Sequence, residues 1–187
     1  MRLFLAIELP GEVRKAVGAL QPRLAARASG WRWARPDGIH LTLRFLGEVD
    51  DAADAGLRGT WRGIVASAPP FAVAVGGLGA FPPRGRPRIL WVGVREEPDR
   101  GQLASLASDL ETAARRAGFP PEPRAFRPHL TIARARSDGA VVLPDLHDEG
   151  CAGRIAVNEV VLFESHLEPQ GARYVALDRF PLAGHDH

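Results

Sequence analysis

His40-Leu41-Thr42-Leu43 recurs as His129-Leu130-Thr131-Ile132, differing only in the last aliphatic residue. A strand sends alternate side chains to opposite faces, so each copy puts a histidine and a threonine on one face and two aliphatic residues on the other. With 6 His and few threonines, composition alone yields about 0.13 His-x-Thr matches, and two copies arise in roughly one shuffled chain in a hundred. A single copy is adequately explained as a strand histidine satisfied in a partly buried site. Two copies brought across a cleft supply a base, an acid and two hydroxyl donors for an anion, the equipment of metal-free phosphoryl chemistry.

Outward from the first copy, Ile39 to Leu46 reads as a strand after the turn signal Pro36-Asp37-Gly38. Simple alternation gives Ile39, Leu41, Leu43 and Phe45 to the core and His40, Thr42 and Arg44 to the cleft, so Phe45 faces away from His40. Arg2 to Leu9 reads as a buried strand closed by Pro10-Gly11, with a helix following from about Glu12 to Ala28 and a short extended piece at Trp31-Arg32-Trp33. Further helices are expected over Asp51 to Ala66 and Asp99 to Ala117. Strands are expected over Phe71 to Val75, Arg88 to Val94, Arg154 to Glu164 and Ala172 to Phe180. Gly76-Gly77-Leu78-Gly79 lacks a following Gly-Lys-Ser/Thr and reads as a bend with close backbone packing.

The order strand, helix, His-x-Thr strand occurs twice, with 37 residues from Leu3 to His40 and 39 from Leu90 to His129. Two related lobes about an approximate dyad follow from that repeat. Residues 1–183 are expected to form one bilobal domain, with Gly184 to His187 a frayed end.

A chain of 187 residues with 45% hydrophobic content can bury a real core. The net charge is +2, and Lys15 is the only lysine among 24 basic residues, which coding bias explains as readily as nucleic-acid binding. A single cysteine, Cys151, excludes an intramolecular disulfide and a multi-cysteine metal centre. Leu3 to Ile7 is too short for a secretory or spanning segment, so a cytoplasmic, monomeric protein without a membrane partner is expected.

The chain resembles the two-histidine phosphoesterases, and within them the bacterial RNA 2′,3′-cyclic phosphodiesterases, also called 2′-5′ RNA ligases. The resemblance rests on Arg2-to-Ile7, Ile39-to-Gly47, Gly77-to-Pro82, Pro87-to-Val94, Phe126-to-Arg134 and Leu162-to-Ser165, and runs from about Met1 to Leu182. It implies a bilobal α+β fold, with antiparallel sheets lining a basic groove, helices outside and no metal or other cofactor. It also implies that His40 donates a proton, that His129 accepts one, and that Thr42 and Thr131 bind phosphate oxygens of RNA ends or nucleotides carrying a 2′,3′-cyclic phosphate. Hydrolysis would leave a 2′-phosphate, and the reverse reaction would make a 2′-5′ linkage.

Arg127, two residues before His129, shares its face by parity, whereas Arg134 reaches that face only if the strand bends. Both are candidate phosphate ligands, with Arg44 a third, against the alternative of solvated surface arginine. Phe45, Phe81, Phe126 and Tyr174 are candidate base-stacking surfaces, although most strand aromatics are core. A non-catalytic RNA-binding module and a metallohydrolase ligated by His40 and His129 are the competing readings; zinc usually takes a third ligand at short spacing, and neither motif has one. His147, His166, His185 and His187 read as surface residues.

Overall fold

Among the described residues, three α-helices and nine strands follow one another, with a 3-10 turn at Pro36–Gly38, as β1 (Arg2–Glu8), α1 (Gly11–Ala25), β2 (Trp31–Trp33), β3 (His40–Glu48), α2 (Asp51–Ser67), β4 (Phe71–Phe81), β5 (Ile89–Glu96), α3 (Gln102–Arg116), β6 (His129–Ala135), β7 (Gly153–Val157), β8 (Glu159–Glu168) and β9 (Gly171–Pro181). The computed structural model describes residues 1–136, 139–147, 153–168 and 171–184, without the side chains of 51–53 and 171. Cys151, His185 and His187 lie outside the described residues. No described helix is long and apolar enough to cross a membrane.

The strands run β7-β4-β5-β6-β3-β1-β8-β9, all antiparallel, with β2 beside β6. Two halves mirror each other outward from the centre: β3, β1, β8 and β9 on one side, β6, β5, β4 and β7 on the other. Their sheets are continuous, joined by the single pairing of Leu41 with Leu130, the residue after the histidine in each motif. β7 and β8 lie near opposite ends of the order yet are separated only by Asn158, so the sheet must curl. Hydrophobic pattern alone predicts one strand here, Arg154 to Glu164. There are two because β7 pairs with β4 and β8 with β1, while the Asn158 carbonyl between them accepts the Leu182 amide at 2.7 Å.

The helices bury stripes against this sheet. In α3 the inward residues Leu103, Leu106, Ala107, Leu110 and Ala114 follow helical spacing, and each fully buried leucine contributes about 1.5–3 kcal/mol. The buried Glu96 carboxylate at the end of β5 accepts the Leu103 amide at 2.8 Å and the Arg100 amide at 3.0 Å, satisfying orphan donors where α3 starts. β4 extends to Phe81, beyond the expected end at Val75, and the expected bend is a bulge inside the strand: the register against β5 shifts between Val75 and Leu78, where Gly77 takes a φ of +75°. Gly79 is needed for close approach: a Cβ there would sit 2.0 Å from the Trp91 ring, which packs against that backbone.

Each His-x-Thr strand carries an extra residue just past its threonine. On β3, Ala6 faces Thr42 and Leu5 faces Arg44, so Leu43 is bulged; on β6, Trp91 faces Thr131 and Leu90 faces Ala133, so Ile132 is bulged. A bulge reverses parity for the residues that follow it. Leu43 and Arg44 are therefore both buried and Phe45 is 51% exposed; Ile132 and Ala133 are both buried and Arg134 is exposed. Gln21 of α1, itself buried, donates to the Ile132 carbonyl at 3.1 Å and to the Ala34 carbonyl at 2.8 Å; the Ala34 amide also reaches the Ile132 carbonyl at 2.9 Å. The backbone oxygen displaced by the second bulge is thus doubly satisfied.

Arg44 does not face the cleft. The bulge turns it to the helix side, where Nε lies 2.6 Å from Glu111 and Nη1 3.0 Å from Glu122, while Nη2 donates to the Pro120 carbonyl at 2.6 Å. It ties the first motif's strand to α3 and to the loop that leads into the second motif. Arg44→Met should cost about 2–3 kcal/mol in urea unfolding, because it strips the partner from two carboxylates that are only partly solvated. A loss below about 0.5 kcal/mol, the level of an ordinary surface substitution, would refute this structural role.

Candidate active site

Continuing the Leu41–Leu130 register by one residue sets His40 opposite Thr131 and Thr42 opposite His129. The four side chains share the face away from the main core, since the intervening Leu41, Leu43, Leu130 and Ile132 are all buried on the other side. Diagonal neighbours across an antiparallel pair are about 7–8 Å apart, enough for a phosphoryl group between the imidazoles.

Both imidazoles are oriented by the same local device. His40 Nδ1 donates to the Gly38 carbonyl at 3.0 Å and His129 Nδ1 to the Arg127 carbonyl at 2.6 Å, each two residues upstream. A carbonyl only accepts, so Nδ1 carries the proton in both and Nε2 is the ring nitrogen left to bind or release a proton. Nε2 is a base in the neutral ring and an acid in the cation. Neither threonine hydroxyl is hydrogen-bonded to another described residue, so both are available to an incoming anion.

Aromatic rings wall each histidine. His40 stacks on Phe4 at 4.6 Å, meets the edge of Tyr174 at 4.9 Å, and has Phe163 6.0 Å away. His129 meets the edge of Phe81 at 5.1 Å, with Trp91 at 6.4 Å. Burial among these rings lowers the His40 pKa from the usual 6.5 to about 4, partly opposed by the Gly38 bond and reinforced by the positive charge of Arg134. His129 is lowered for the same reasons: burial first, opposed by the bond to Arg127, reinforced by Arg134.

Arg134 is thus within electrostatic range of both histidines, put there by the bulge at Ile132. The Arg127 side chain is exposed, and what it supplies in this structure is its carbonyl. Phe45 reverses its expected direction: it lies on the cleft side, with its ring 5.7 Å from Phe4. Phe126 packs against the main core and takes no part in the wall, whereas Phe81 and Tyr174 do. Sequence reasoning misses Phe4, Phe163 and Trp91. The available signal is parity, for Phe4 alternates with Leu3 and Leu5 on a strand paired to β3, and Trp91 with Leu90 and Val92 on one paired to β6. His147 is exposed and His166 lies 3.1 Å from Glu164, away from the paired motifs.

Two histidine-threonine pairs converging on one face about an approximate dyad define the class of two-histidine phosphoesterases. The chain belongs to the family described as LigT like phosphoesterase, whose model matches residues 7–91 and 93–174. It is 33% identical over 183 residues to an RNA 2′,3′-cyclic phosphodiesterase of Geobacillus stearothermophilus, covering 97% of this chain and 57% of that protein. It is 31% identical to an RNA 2′,3′-cyclic phosphodiesterase of Archaeoglobus fulgidus, over 96% of this chain and 99% of the relative. Among solved structures, TT0787 of Thermus thermophilus superposes with a TM-score of 0.80 at 30% identity, covering 99% of this chain and 100% of that one. E. coli LigT complexed with 3′-AMP superposes with 0.76 at 32% identity, covering 97% of each.

A cation beside two imidazoles disfavours their protonation, so Arg134→Gln should raise the pKa of both histidines in an NMR titration. From the starting values, His40 near 4 and His129 below 6.5, both should move toward 6.5. Movement of only one, or of neither, would show that Arg134 does not serve both halves.

Proposed function

We propose that this protein hydrolyses RNA 2′,3′-cyclic phosphate ends to 2′-phosphates by metal-free catalysis with His40 and His129. The observation that carries the reading is the Leu41–Leu130 pairing, which faces two tautomer-fixed histidines and two free threonine hydroxyls into one cleft. The phosphodiesterase names of the relatives and the 3′-AMP complex of the E. coli protein support the substrate class.

In the proposed reaction, Nε2 of neutral His129 takes a proton from water as its oxygen bonds to phosphorus. The P–O3′ bond breaks, and protonated His40 gives its Nε2 proton to the departing O3′. Thr42 and Thr131 donate to the non-bridging oxygens, where charge accumulates, and Arg134 adds a cation beside them. The proton gained by His129 returns to His40 through solvent. With a 5′-hydroxyl attacking in place of water, the same groups join two ends in a 2′-5′ linkage.

The depressed pKa of His40 makes its protonated form a strong acid but a scarce one at neutral pH. A bound phosphodiester anion offsets the Arg134 charge and favours the imidazolium. Accordingly kcat/KM, which reports the free protein, should peak below pH 6.5 and fall about tenfold per pH unit above it, while the alkaline limb of kcat lies at higher pH. A flat profile between pH 5 and 8 would contradict acid-base catalysis by the pair.

The direct test incubates oligonucleotides ending in 2′,3′-cyclic phosphate with the protein in excess EDTA and identifies the product ends. The expected result is undiminished conversion to the 2′-phosphate, with His40→Ala and His129→Ala each slower by about 10²–10⁴ and still folded by circular dichroism. Among the described residues no three His, Cys, Asp or Glu side chains group as a metal site. Activity lost in EDTA and restored by a divalent ion would favour the metallohydrolase reading, and a 3′-phosphate product would reverse the regiochemistry.

A further inference from the structure

The net charge of +2 conceals a sharp segregation of charge. Residues 28–36, 76–95 and 123–136 contribute β2, β6, the glycine stretch of β4, the hairpin between β4 and β5, and β5 up to Arg95, short of the buried Glu96 that binds the start of α3. Together they hold ten arginines and no Asp or Glu, where the chain's average composition would place about five acidic residues. In the other half several arginines are neutralised: Arg179 pairs with Glu8 at 2.9 Å, Arg62 with Asp178 at 3.2 Å and Arg173 with Glu168 at 2.9 Å. Among the described residues, Arg32, Arg84, Arg86, Arg88, Arg134 and Arg136 make no ion pair, and all six are exposed.

The register adds a second observation. Arg32 of β2 lies directly opposite Arg134 of β6, so both side chains leave the same face, that of the cleft. Like charges directly opposite each other on a sheet are destabilising unless something neutralises them. On the far side of β6, Arg134 faces Ile89 and Ile89 faces Phe81, the ring against His129; this leads straight to the hairpin tip carrying Arg84 and Arg86. Arg86 is held by a hydrogen bond to the Gly139 carbonyl. The unneutralised arginines thus extend from the catalytic cleft across one lobe on both flanks of Arg134.

We propose that this surface is a phosphate track for single-stranded RNA, with Arg32, Arg84 and Arg86 holding backbone phosphates beyond the nucleotide whose cyclic phosphate lies between the histidines. The proposal rests on the reading of the site given above and deepens it: the substrate is the end of a strand, and a lone cyclic mononucleotide uses only part of the surface. Arginine contacts to phosphate carry no base information, so the track is tolerant of sequence. Its charge also steers strands toward the cleft, which makes capture salt-dependent.

The test compares wild type with R32Q/R84Q/R86Q, none of which touches the catalytic groups. With a 2′,3′-cyclic mononucleotide, kcat/KM should stay within about twofold, whereas with an oligonucleotide of about ten residues it should fall at least tenfold, with a salt slope shallower by about 2 for three lost contacts. Anisotropy of a fluorescent single-stranded RNA ending in 2′-phosphate reads the same track without turnover, and should show the same weakening and the same change of slope. Equal loss on both substrates, or unchanged RNA affinity in the triple variant, would overturn the track. If instead the wild type binds the RNA in a salt-dependent, arginine-dependent way but opens no cyclic phosphate, the proposed reaction fails and the track stands.

Discussion

One backbone pairing, Leu41 with Leu130, joins the two halves of the sheet, and the site depends on its register. Strand side chains alternate with period two, so a slip of one residue would turn one histidine-threonine pair into the core and one aliphatic pair into the cleft. The pairing is protected by what surrounds it. Leu41 and Leu130 are both fully buried, Arg44 fastens β3 to α3 and the loop before β6, and Gln21 fastens β6 to α1. These contacts come from both halves, so each motif strand is braced by parts of the chain outside its own lobe.

The same construction sets the chemistry. Backbone carbonyls two residues before each histidine fix the tautomer, and aromatic walls dry the rings and lower both pKa values. Symmetry of backbone does not extend to side chains. Beyond the bulges the equivalent positions are Phe45 in one copy and Arg134 in the other, and facing the threonines they are Ala6 and Trp91. Both lobes therefore wall the cleft with aromatic rings, and one of them adds a cation with further arginines behind it. That difference gives a duplicated scaffold two distinguishable sides, a precondition for one histidine acting as acid and the other as base.

Much of this is legible in the sequence, because alternation and repetition act locally. The two motifs, the helices within a few residues and the bilobal plan all follow from hydrophobic period and spacing. The failures of side-chain direction share a cause: a bulge adds one residue, and alternation then points the wrong way. Strict alternation sends Arg44 to the cleft and Phe45 to the core, and both are reversed; Arg134 needs a bend, and the bulge at Ile132 provides it. A trace of irregularity exists in adjacent apolar residues, Phe45-Leu46 and Ile132-Ala133, which cannot both obey a strict period of two. Gly79 and the break at Asn158 are not legible, since one depends on the distant ring of Trp91 and the other on which strands β7 and β8 pair with.

The central claim is that two histidines from two lobes act as one catalytic unit, and a double variant tests it most directly. Residues that serve a single step lose their effect together, so His40→Ala/His129→Ala should hydrolyse a 2′,3′-cyclic phosphate about as slowly as the worse single variant. If the two losses multiply, or if either single variant keeps near-wild-type turnover, the histidines do not share a step and the paired mechanism is wrong.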